Sequence, residues 1–376
     1  MCGNSPLTWS MTGFVSSASG TGGTLPSWPA RSCRRRPARP PTTMRATPQR
    51  SVRAPAHEGP VYIPDQGRLY FATTPDADPP ARSPNVSICF WELNSDAVRV
   101  WVADARMANG MAPSADGKAL LVCEQGDWER PAAITRYALA GGDDDGSPPE
   151  ASREVLVDAY KGAPLNSPNK VLEVRPGCIV FTDPDYGRRQ GFRPNTLPPS
   201  RIRDSDAFLS PDEFSADGRP AGTLPPAAYV LIGGVVTRLD TGLAQPHGLA
   251  ASPDGTRLYI SETPADDGVG GFDGSHCQCV HAYDFDPVAG TVSGGVKIVD
   301  LPEGVPDGMA CDAAGRLYCA TGEGLRVFSP QGESLVEATV ENAVNLWLDE
   351  DRGRLFTTTD EAVEMYSLDQ LSSKGA

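Results

Sequence analysis

QPHGLAASPDGTRLYISE, residues 245–262, contains the unit from which the fold is built. It reads as a strand, a tight turn and a second strand. The turn holds Asp254 and Gly255, a pair that a hairpin favours because glycine accepts the backbone a tight turn needs. The run after it is short and apolar. The first strand opens on a polar residue, His247, with a glycine directly behind it.

The unit recurs. DQGRLYFAT, ADGKALLVCE, RPGCIVFTD, AAGRLYCAT and DRGRLFTTT place Gly67, Gly117, Gly177, Gly315 and Gly353 where Gly255 stands. Eight residues before each glycine, nine before the first, stands a polar residue: Glu58, Asn109, Asn169, Asp307 and Asn345 match His247. One such Asn or Asp would mean only a capped turn. Six at nearly fixed spacing point to a shared site. Six strand-rich repeats predict an all-β chain folded as a six-bladed β-propeller, with four-stranded blades around a central channel. If these segments are the innermost strands, two carboxylates, three amides and an imidazole meet at one channel mouth.

Composition agrees. The 376 residues include 39 glycines and 36 prolines, which suits many turns and short strands. The net charge is −15, yet the first 57 residues carry eight Arg and no Lys, Asp or Glu. The rest is therefore more acidic than the whole, which argues against nucleic acid or an anionic membrane as partner. A small molecule is the expected partner, and oligomeric state is not legible. Residues 1–56, rich in Arg, Pro and Ser, are expected to be disordered, with the propeller over 57–370. The same composition suits an organellar targeting segment or a misassigned gene start. No run of about 18 apolar residues and no leader pattern is present, so a cytoplasmic protein is the default expectation. Residues 188–228 lengthen the interval between repeats three and four and read as an inserted loop.

Nine cysteines are scattered, several inside apolar strand-like runs, where small buried thiols are expected. Cys277 and Cys279 lie in SHCQCVH with His276 and His281. A zinc site would want a second Cys or His pair at matching spacing, and none is evident.

HEGPVY (57–62), LNSPNKVLEVRPGCIVFTDPDYG (165–187), QPHGLAASPDGTRLYISET (245–263) and PDGMACDAAGRLYCATGEGLRVFSPQGE (306–333), with ANGM (108–111) and VCEQGD (122–127), resemble the SMP-30/gluconolactonase/luciferin-regenerating family, its gluconolactonase branch in particular. The likeness spans about residues 56–368. It implies a propeller with a divalent cation, usually Ca²⁺, in the channel. The implied ligands are Glu58, Asn169, Asp307 and the residue at 247. That residue is Asn in the family and His247 here. Oxygen donors suit Ca²⁺, whereas an imidazole suits Zn²⁺ or Mn²⁺ better. Lys170 is a second departure, standing where the family often has Asp. It adds a positive charge and favours an anionic substrate.

The resemblance implies a metal-dependent hydrolase that opens a lactone or similar cyclic ester with metal-activated water. Asp307 would be the general base and Glu58 the metal anchor, these two forming the catalytic pair. Asn109, Asn166, Lys170 and Asn345 would contact substrate. The alternatives are a binding propeller without catalysis, an organophosphate or aryl-ester hydrolase, or a biosynthetic enzyme, since one fold hosts many chemistries.

Overall fold

The computed structural model describes residues 40–75, 84–127, 130–139, 152–189, 224–263, 277–301 and 304–371. Six antiparallel blades fill this span. From the inside outward, blade one is Ala56–Ile63, Arg68–Thr73, Ile88–Glu92 and Ala97–Val102. Blade two is Ala108–Pro113, Ala119–Glu124, Ala133–Ala138 and Arg153–Val157. Blade three is Val171–Arg175, Cys178–Asp183, Ala227–Ile232 and Val235–Arg238. Blade four is Pro246–Ala251, Arg257–Glu262, Cys279–Asp286 and Thr291–Asp300. Blades five and six start with Met309–Cys311 and Asn345–Asp349. Each innermost strand neighbours the next, and that of blade six returns to blade one, so the ring closes.

The six repeated glycines occupy the turns between first and second strands. All six have positive φ, from 62° at Gly353 to 77° at Gly177 and Gly315, a region that a side chain disfavours. The second strands are buried on both faces. Leu120–Glu124 and Leu258–Glu262 have no exposed position. This is why they read as apolar runs rather than alternating ones. Side chains of adjacent blades interdigitate, as with Tyr70, Phe90, Trp101 and Tyr137 between blades one and two. Each fully buried large side chain contributes about 1.5–3 kcal/mol.

The ring is closed by strands that the composition of the N-terminus concealed. Arg50–Arg53 pairs antiparallel with Ala362–Ser367 as the outermost strand of blade six. Thr42–Arg45 adds in parallel to Ser334–Thr339, the fourth strand of blade five. The expected disorder of residues 1–56 is thus corrected for 40–56, and the propeller begins before residue 57. The physical reason is that an edge strand needs backbone partners more than an apolar face. These strands expose their side chains and pair through the main chain. The seam is sealed by Trp91, whose ring meets Phe356 edge-on at 6.2 Å, and by Tyr62 stacked on Phe356 at 5.6 Å. Residues 1–39 lie outside the described residues. So do 190–223 of the expected loop. Its ends are corrected: Tyr186–Arg189 forms a helical turn, and Ala227 and Ala228 already belong to a strand. Among the described residues no helix is long and apolar enough to cross a membrane.

Candidate active site at the channel mouth

The six polar residues stand at the starts of the six innermost strands. Glu58, Asn109, His247 and Asn345 lie in the first residues of theirs, and Asn169 and Asp307 two residues ahead of theirs. The glycine behind four of them draws consecutive blades together. A Cβ on Gly110 would overlap the Asn169 carbonyl oxygen, one on Gly248 the Asp307 carbonyl oxygen, and one on Gly308 the Asn345 side chain. A Cβ on Gly59 would come within 2.8 Å of the Asn109 carbonyl oxygen. The repeated polar-Gly pair is therefore a packing device, in which the glycine makes room for the next polar residue. Gly110 N–H also donates to the Asn169 carbonyl at 2.9 Å.

In blade three the place of that glycine is taken by Lys170, and its side chain is almost fully buried. Nζ lies 2.5 Å from Glu58 Oε2 and 2.8 Å from Asp307 Oδ1. Blades one, three and five are thus tied by one ammonium group. Asn345 Nδ2 donates to the same Glu58 Oε2 at 2.6 Å, while its Oδ1 accepts from Leu346 N–H at 2.7 Å. The second bond fixes which way the amide faces.

The charges follow from this enclosure. Burial pushes the Glu58 carboxyl up against the pull of Lys170. Burial opposes ionisation of Asp307 too, but Lys170 and His247 hold it below the usual carboxylate range. Burial also opposes the charge on Lys170, yet the two carboxylates raise it above an ordinary lysine, so it is a cation at neutral pH. Burial pulls His247 down to about 4, leaving a neutral imidazole. Its Nε2 stands 3.7 Å from Asp307 Oδ1, beyond hydrogen-bond reach. Its ring meets Tyr186 edge-on at 5.2 Å.

Glu58, Asn169, Lys170, His247, Asp307 and Asn345 are therefore assembled at one mouth. Asn169 Oδ1, His247 Nδ1 and Asp307 Oδ1 are buried without a hydrogen-bond partner. Asn109 is half-buried, and its Oδ1 accepts from Gly110 N–H at 2.8 Å, a local turn bond. Asn166 is tied to Asp183. Its N–H donates to Asp183 Oδ2 at 2.9 Å and its Nδ2 to the Asp183 carbonyl at 3.3 Å.

For a divalent cation, the oxygens of Glu58, Asn169 and Asp307 are suitable donors. Lys170 is not compatible with them in that role. A hard ion needs the carboxylate oxygens that the ammonium contacts, and two cations at one point repel strongly in a buried setting. With Lys170 as placed, the residues do not fit a divalent ion between Glu58 and Asp307.

His57 was not singled out by the repeats, although it precedes Glu58 in HEGPVY. Its Nδ1 lies 2.6 Å from Asp360 Oδ1. Burial lowers its basicity, but Asp360, Glu58 and Asp307 together raise it. Cys89, Cys123, Cys178 and Cys319 are buried thiols as expected, whereas Cys311 is only half-buried and Cys277 and Cys279 are joined as a disulfide. Glu262 and His281 converge on that pair to within 4.8 Å. Glu262 comes from the facing strand, where linear spacing could not reveal it.

Residues 57–361 match the family model described as SMP-30/gluconolactonase/LRE-like region. The chain belongs to this family. Among curated proteins of similar sequence are a gluconolactonase of Zymomonas mobilis and a lactonohydrolase of Aspergillus oryzae. The first is 28% identical over 74% of this chain and 68% of its own length. The second is 26% identical over 76% and 61%. The solved gluconolactonase from Xanthomonas campestris is 28% identical, covers 89% of this chain and 100% of its own, and superposes with a TM-score of 0.59. Glu58, Asn169, Lys170, His247 and Asp307 all lie within the matched span.

Proposed function

We propose that this protein hydrolyses a lactone or similar cyclic ester at the channel mouth. The observation that carries the reading is the convergence of Glu58 and Asp307 around one cation, in a family whose similar members are named gluconolactonase and lactonohydrolase. Asp307, with its side chain 19% exposed, is the carboxylate that can meet a water. Held ionised, it takes a proton as the water oxygen bonds to the carbonyl carbon. The ring C–O bond then breaks and the leaving alkoxide takes the proton that Asp307 accepted, which restores the carboxylate. Glu58, fully enclosed, anchors the cation. Asn169 Oδ1, the unused acceptor, suits a hydroxyl on the substrate, which favours a polyhydroxy lactone.

The family resemblance supports a divalent cation in this channel. Ca²⁺ comes first on the grounds of oxygen donors, and Zn²⁺ or Mn²⁺ if His247 takes part. On the resemblance Glu58, Asn169 and Asp307 would be its oxygen donors, a role that the ammonium on Glu58 and Asp307 denies them. Lys170 opposes it, and no step of the reaction above passes through a metal.

The test is a purified-protein assay on gluconolactone and other sugar lactones, with pH corrected for spontaneous opening. Hydrolysis above the uncatalysed rate that disappears in Asp307→Ala, with the melting transition retained, supports the reading. Rates equal to background on every lactone remove it.

A further inference from the structure

We propose that the Lys170 ammonium is the resident cation of this site, standing in place of a divalent ion and meeting the substrate carbonyl oxygen itself. The metal half of this proposal stands on geometry alone. The catalytic half rests on the hydrolase reading above.

Three observations carry it. Nζ contacts one oxygen of each carboxylate, at 2.5 Å on Glu58 and 2.8 Å on Asp307. A calcium ion takes its oxygens at 2.3–2.6 Å, so ion and ammonium would compete for the same atoms. Second, Glu58 Oε2 accepts from both Lys170 and the fixed amide of Asn345. An N–H aimed at that oxygen occupies a lone pair that a metal would need. Third, Lys170 stands where the neighbouring blades have glycine. Its Cα and Cδ both lie 3.1 Å from a Cβ built on Gly110, so the stem is packed under blade two and the ammonium is directed to the mouth. The lysine is built into the site.

An ammonium has three N–H donors; one is given to Glu58, while Asp307 is held as an ion pair at 2.8 Å. A remaining N–H can donate to the lactone carbonyl. As water adds at the carbonyl carbon and negative charge grows on that oxygen, a fixed positive charge in a water-poor site stabilises it. The proton balance stays as described, with Asp307 receiving the water's proton and Lys170 remaining charged throughout.

The experiment uses the full-length protein, stripped with chelator and dialysed against about 1 mM Ca²⁺, a concentration that fills even weak calcium sites. Bound calcium is read by elemental mass spectrometry and the melting temperature is read in parallel. The proposal expects no calcium uptake and no thermal shift in the wild type. In Lys170→Asp it expects one equivalent and a higher melting temperature with Ca²⁺. One equivalent in the wild type that is lost in Glu58→Gln overturns it, because ion and ammonium would then coexist. If Lys170→Asp does not fold, the wild-type and Glu58→Gln measurements still decide. For the catalytic half, wild-type hydrolysis should be unchanged by chelator and fall at least about 100-fold in Lys170→Met. Chelator-abolished hydrolysis overturns that half. Absence of hydrolysis on any lactone removes the hydrolase reading and leaves the calcium result standing.

Discussion

Blades three and five offer the same position to the channel and put different residues behind it. Asp307 is followed by Gly308, which yields its space to Asn345 of the next blade. Asn169 is followed by Lys170, which keeps its side chain and sends the ammonium across to Glu58 and Asp307. One backbone register thus serves two purposes. Where glycine follows, the neighbouring polar residue fills the space. Where lysine follows, the charge of the whole mouth is set from that point. In a propeller, a substitution one residue beside a ring position can change the site more than a substitution within the ring.

The largest effect expected from breaking this comparison lies on blade five. Asp307→Ala should lower hydrolysis by about 10²–10⁴-fold, the usual contribution of a positioned acid–base group. The protein should still fold, because its removal leaves Lys170 paired with Glu58. Steady-state kinetics beside a thermal melt check both halves. A loss of activity that tracks a loss of fold would reduce Asp307 to a structural residue.

On blade three the corresponding change acts on stability. Lys170→Met leaves Glu58 and Asp307 facing one another without a cation. Removing one partner of a buried pair costs about 3–5 kcal/mol. The sign of its pH dependence follows from Glu58, whose carboxyl burial already pushes up. Without the lysine it takes a proton more readily, so the deficit against wild type should shrink as pH falls. Urea denaturation at neutral and acidic pH measures this. A deficit constant with pH would mean that the stem of Lys170 matters and its charge does not.

Much of this was legible in the chain. The six turn glycines and the six polar residues ahead of them are local and periodic, so the blades and their order could be read directly. Membership of the mouth followed from register. What eluded reading is non-local. Lys170 and Glu58 are 112 residues apart, and nothing in NSPNKV says which way the lysine turns. Glu262 joins Cys277, Cys279 and His281 only across two paired strands. Arg50–Arg53 looks like part of a basic tail, because an edge strand with exposed side chains carries no apolar period and its partner lies more than 300 residues away.

The glycines behind the ring residues give a smaller effect. Gly248→Ala forces a methyl group into the Asp307 carbonyl oxygen, with Ser261 Oγ at 2.8 Å and no room to yield. Overpacking of this kind costs about 1–3 kcal/mol. Because the displaced residue is Asp307, activity should fall beyond what the lost stability explains. Wild-type kcat/KM in a destabilised Gly248→Ala would separate blade packing from the site.

The turn glycines should be the mildest, and for the opposite reason. Gly117 has open space around the place of a Cβ but a φ of +67°. The left-handed region costs a non-glycine residue about 1–2 kcal/mol, and Asn tolerates it better than other residues. Gly117→Ala should therefore lower stability by about 1 kcal/mol, and Gly117→Asn should recover part of it. At Gly248 the order should reverse, since Asn is larger than Ala and space is what that position lacks. Melting temperatures of these four variants test whether the two sets of glycines do separate work. If Asn is the worse residue at both positions, steric room limits the turns as well, and the division between turn and mouth glycines fails.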